Sequence, residues 1–211
     1  MASRIFARAS ALTAAARALI GIGPRTAAPA GPIGDFLNHP LAEAERNGFF
    51  RWFHLAETRR EPGPNSDQKI VYQPTGEKFH DLAIVIVTVN GSVLIQRIEL
   101  MLKRSFIASP RDGIFASDIG KSFVLASLPE DVPEELRTLA NEIAHRARTS
   151  QPLIVGPGYR SPKLSERFSK AYEVYAGARP SHATTLAHYR FEIGNHRTAD
   201  SAELSISFTI R

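Results

Sequence analysis

Apolar positions are densest between Asp81 and Lys103, DLAIVIVTVNGSVLIQRIELMLK, and Asn90-Gly91 divides that run in two. An Asn-Gly pair between stretches rich in β-branched residues is a strong hairpin signal, because both central positions of a type I′ turn need a positive φ. The pattern predicts antiparallel strands over Leu82–Val89 and Ser92–Lys103. Both phases of the first strand are apolar, with Leu82, Ile84 and Ile86 opposing Ala83, Val85, Val87 and Val89. Such a strand is expected to be covered on both faces. The second strand is one-sided, with Ile98, Leu100 and Leu102 against Arg97, Glu99, Met101 and Lys103. Val93 and Ile95 fall in the other phase, which predicts a bulge near Gln96.

Period-2 patterns recur near the C-terminus. Thr185–Ile193 alternates as one strand, and Leu204, Ile206, Phe208 and Ile210 mark a last strand over Glu203–Arg211. The polar stretch between them, GNHRTADSA, reads as a long loop. A short strand is expected at Lys69–Gln73, after a loop at Glu61–Asp67. Helical spacing dominates elsewhere. Residues 35–60 read as two helical pieces, with Asn38 as a cap, Pro40 in the first turn and Gly48 at the end of the first piece. The second piece gathers Phe49, Phe50, Trp52 and Phe53. Phe115, Ile119 and Phe123 recur every fourth position, and Leu136, Leu139, Ala140 and Ile143 form an amphipathic stripe behind an Asp131/Glu134 capping box. A further helix carries Leu164, Phe168, Ala171, Tyr172 and Tyr175 on one face, with Gly177 placed to cap it.

These elements predict an α+β fold: an antiparallel β-sheet of about five or six strands with helices packed on it. Three regions follow from composition. Residues 1–34 are an Arg/Ala-rich leader or disordered tail with a Gly/Pro linker. Residues 35–66 are a helical, aromatic-rich segment and loop, and residues 67–211 are a single α+β domain.

Charge changes the picture once it is located. The chain is formally +5, but Arg4, Arg8, Arg17 and Arg25 lie in residues 1–34, which hold no acid, so about +1 remains for the rest. The basic balance belongs to the leader, and no nucleic-acid partner is expected. The leader itself is acid-free and amphipathic, with Ile5, Leu12 and Leu19 on one stripe. It fits an organellar transit peptide, a bacterial export signal or a disordered tail of a cytoplasmic protein, and the last reading is preferred. With 43% hydrophobic and 22% charged residues the chain reads as a soluble globular protein. No transmembrane segment is expected, because Asn90, Gly91, Gln96, Arg97 and Glu99 interrupt the longest apolar run.

Candidate chemistry is sparse. The absence of cysteine excludes disulfides and thiolate sites. His182, His188 and His196, with Asp200, have neither helical nor strand ligand spacing, so no metal is assigned. His80-Asp81 point to opposite faces of a strand. Ser117, with Asp118 and Lys121, reads as an exposed helix face, and no nucleophile elbow is present. GPGYRSPK offers an anion-site candidate in Gly156, Gly158, Arg160 and Lys163: two glycines for close backbone approach, two cations, and an adjoining helix start. No cofactor is implied. The preferred expectation is a non-catalytic binding or assembly module that contacts a protein partner, or a small apolar or anionic ligand, through its sheet or aromatic helix. The alternative is an enzyme whose site is assembled around Arg160, His182 and His188.

Overall fold

A computed structural model describes residues 36–127, 134–149, 164–186 and 188–211. Seven strands form one antiparallel sheet in the order β1-β2-β3-β4-β7-β6-β5. They are β1 (Leu55–Pro62), β2 (Gln68–Pro74), β3 (Ala83–Val89), β4 (Ile95–Lys103), β5 (Ser181–Leu186), β6 (Tyr189–Arg197) and β7 (Ala202–Ile210). The helices are α1 (Leu41–Arg46), α2 (Gly48–Trp52), α3 (Arg104–Ile107), α4 (Gly113–Ala126), α5 (Glu134–Thr149) and α6 (Glu166–Tyr175). The α+β class with an antiparallel sheet is therefore correct, and the strand count is seven rather than five or six.

Both extra strands have a physical explanation. Residues 55–62, expected to continue a helix into a loop, form the edge strand β1 against β2. Its LAETRREP sequence is mostly exposed and lacks apolar alternation, as suits an edge whose charges discourage further pairing. Thr185–Ile193, expected as one strand, is instead divided between β5 and β6, which pair with each other from Leu186↔Tyr189 to Ser181↔Gly194. β6 then runs on to Arg197, so the long polar loop shrinks to a turn closed by Thr198 N–H donating to the Ser201 carbonyl at 2.8 Å.

The central hairpin forms, with its bulge where expected: Thr88 pairs with Arg97 and Val89 with Ile95, leaving Gln96 unopposed. The connection differs from a two-residue turn. Neither Asn90 nor Gly91 adopts a positive φ, whereas Val93 does, at 61°. The Asn90 carboxamide accepts from the backbone N–H groups of Ser92 and Leu94, each at 3.0 Å, closing a longer loop. Residues 38–41 bind that loop, with Leu41 N–H donating to the Val93 carbonyl at 3.1 Å and Asn38 N–H to that of Ile95 at 2.8 Å. Tertiary docking, absent from any local turn rule, selects the conformation. Pro40 rather than Asn38 precedes the first turn of α1, and Gly48 opens α2 instead of ending α1.

One face of the sheet carries the core. Val85, Val87, Ile98, Leu100, Leu102, Ile206 and Phe208 are at most 1% exposed beneath α4, α5 and α6. The α5 stripe Leu136, Leu139, Ala140 and Ile143 is fully buried, as its periodicity requires. The helices come close: a Cβ on Gly120 of α4 would lie 3.5 Å from Ile143 Cγ2 and 3.9 Å from Leu102 Cδ1. Phe49, Phe50 and Phe53 are also buried, and their rings link α2 to the sheet and α4 through Phe50–Tyr72 (5.0 Å), Phe49–Phe123 (5.8 Å) and Phe53–Phe115 (5.7 Å). Trp52 is 48% exposed.

The second apolar phase of β3 is not fully covered. Ile84 and Ile86 lie half-buried on the open face beside Val71 and Met101, and an ion-pair ladder, Arg97–Glu99 and Arg97–Glu192, flanks them. Covering on both sides, expected from the sequence, is thus realised on one. No helix among the described residues is long and apolar enough to cross a membrane.

Candidate functional site

The helical segment between β4 and β5 leaves a cleft where α6 ends against the β6–β7 hairpin. Its far end is built by register. Lys103 pairs with Glu203 across β4 and β7, and Glu203 with His196 across β7 and β6. Arg104, just beyond β4, is thereby brought to Asn195 although β7 lies between their strands.

α6 closes in the manner its Gly177 predicts. That residue takes φ 83°, Gly177 N–H donates to the Val174 carbonyl at 3.0 Å, and Ala178 N–H donates to the Glu173 carbonyl at 2.8 Å. This pair of bonds is a Schellman cap. Arg104 adds to this helix end, donating to Tyr175 O at 2.6 Å, to Val174 O at 2.7 Å and to the Asn195 side-chain Oδ1. Asn195 Nδ2 in turn donates to Val174 O at 3.0 Å and Arg179 O at 2.8 Å. A cation on the helix C-terminus offsets the negative end of its dipole. The knot locks the loop after α6 in place.

The cleft bounded by this knot has a volume of about 870 Å³. Apolar side chains of Ile107 and Ile114 line it, together with Ser117, Arg179, Arg197 and Glu203. Ser117 is 1% exposed and shares a 2.9 Å hydrogen bond with the Tyr175 hydroxyl, so the exposed role expected for it does not hold. The tight turn into α4 needs its glycine, because a Cβ on Gly113 would sit 2.7 Å from the Ile107 carbonyl oxygen.

The residues singled out from sequence fare differently. Gly156, Gly158, Arg160 and Lys163 lie outside the described residues, as do the leader and Asp131 of the capping box. His182 and His188 are not brought together. His182 is near the start of β5 and His188 follows its end, so about 13 Å of strand separates His182 from Leu186 alone. His182 faces a shallow depression with Lys170 and Glu135, and its Nε2 finds no hydrogen-bond partner among the described residues. Burial, then the nearby Arg179 and Lys170 charges, lower its pKa from the ordinary histidine value. His196 lies on the open face, 2.8 Å from Ser205 Oγ, and His80 Nδ1 is 3.1 Å from the Pro74 carbonyl. Among the described residues no three His, Asp or Glu side chains are grouped to hold a metal.

Arg104, Arg179, Asn195 and Arg197 were not legible as a site. They span over ninety positions without a motif, and only the Gly177 cap hinted at one wall. No protein-family model matches the chain, and neither does any curated protein or solved structure.

Proposed function

We propose that this chain is a non-catalytic binding module whose ligand seat is the cleft between the end of α6 and the β6–β7 hairpin. The observation that carries this reading is the Arg104–Asn195 knot, whose hydrogen bonds tie together the walls of an 870 Å³ space. Small-molecule sites are commonly preformed, mostly apolar concavities of about 300–1,000 Å³ with a few placed polar groups. The aromatic helix is a poor contact surface, since three of its four rings are spent on the core.

An NMR titration of the full chain with octanol and octanoate tests the reading. Expected are saturable shifts of Ile107 and Ile114 methyl groups, abolished in Ile114→Trp, whose indole fills the space while the melting temperature is retained. Absence of shifts with both probes refutes a ligand seat here.

A further inference from the structure

We propose that the cleft is an anion site: its ligand bears a carboxylate or phosphate monoester, gripped by Arg197 and Arg179, on an apolar body lying against Ile107 and Ile114. The inference rests on the cleft being a ligand seat, as argued above. Three arginines and one carboxylate, Glu203, line it. The chain beyond residue 34 is formally only about +1 in all, whereas this concavity alone sets three arginines against Glu203.

The three arginines divide the work. Arg104 is committed to the α6 carbonyls and Asn195, and by offsetting the negative helix end it removes a field that would repel an anion. Arg197 is exposed at the end of β6, and its side chain makes no ion pair or hydrogen bond among the described residues. Arg179 gives its Nε to Glu173 at 3.1 Å, which leaves both terminal amino groups, since a guanidinium has five donors.

Geometry puts Arg179 and Arg197 at one end of the space. Asn195 and Arg197 are two apart on β6, on the side that meets α6, and so stand about 7 Å apart along the strand. The Asn195 side chain holds the Arg179 backbone carbonyl at 2.8 Å. A planar guanidinium fork suits the paired oxygens of a carboxylate or phosphate better than a neutral hydroxyl.

Calorimetric titration of the full chain with octanoate, octyl phosphate and octanol separates the possibilities. One or both anions should bind about tenfold more tightly than octanol, with that preference shrinking as salt is raised. Arg197→Gln and Arg179→Gln should each erase most of the preference without weakening octanol, and Arg197→Lys should restore part of it. The better of the two anions identifies the head group. Equal binding of octanol overturns the anion assignment while leaving the ligand seat intact. An anion preference unchanged in both glutamine variants overturns the assignment to these arginines. Failure of all three probes removes the seat itself. The Arg197 side chain makes no bond among the described residues, so its variants are expected to melt with wild type.

Discussion

At the scale of single residues, the polar groups are informative where their partners are countable. Half-buried Arg104 spends its donors on the Tyr175 and Val174 carbonyls at a helix end, where backbone acceptors outnumber intrahelical donors. His182 stands at the opposite extreme, with Nε2 buried and unpartnered among the described residues and cations close by. Its pKa lies below the ordinary value of 6.5, so the folded chain holds fewer protons than the unfolded one as pH falls past that value. Stability is thus lost on acidification through about 6.5 and stops falling below the folded pKa. The melting temperature of wild type should drop further between pH 7.5 and 5.5 than that of His182→Gln. Equal drops would show that this histidine is not penalised by folding.

At the scale of elements, two glycines in one helix make opposite demands. Gly113 begins α4 where any Cβ would collide with the Ile107 backbone oxygen at 2.7 Å, and backbone cannot swing aside. Gly120 sits mid-helix, where a Cβ would meet Ile143 and Leu102 side chains at ordinary van der Waals distance. Gly113→Ala should destabilise by about 1–3 kcal/mol through overpacking. Gly120→Ala should be neutral or stabilise by up to about 1 kcal/mol, the helix-propensity difference. Urea denaturation of the two variants checks the contrast, and equal effects would contradict it. Helices α4, α5 and α6 were legible because each keeps a 3.6-residue apolar stripe over several turns. Strand β1 was not, since an edge strand exposed on most of its length has no apolar phase to betray it.

At the scale of the whole molecule, Phe123 joins the parts. Its ring stands 5.8 Å from Phe49 in α2 and 6.2 Å from Phe208 in β7, so aromatic segment, helical layer and sheet share one core. Phe123→Ala should cost about 3–5 kcal/mol. Trp52 is the only tryptophan and reports on α2, while far-ultraviolet dichroism reports on all elements. Both probes should move to the same lower midpoint in the variant, as two-state unfolding requires. A fluorescence midpoint left at the wild-type value would make the aromatic segment an independent unit.

The sequence by itself determined the core-facing stripes of α5, β4 and β7, because hydrophobic periodicity is a local property that burial rewards at every turn or pleat. It determined the α+β class, the central hairpin with its bulge at Gln96, the helical stripes and the glycine cap of α6. Only the tertiary structure decided which strands are neighbours, how the Asn90 loop closes against residues 38–41, and which face of β3 stays open. It alone assembled the cleft, because Arg104 and Asn195 meet through the register of β4, β7 and β6, and register between distant strands leaves no trace in the spacing of either residue.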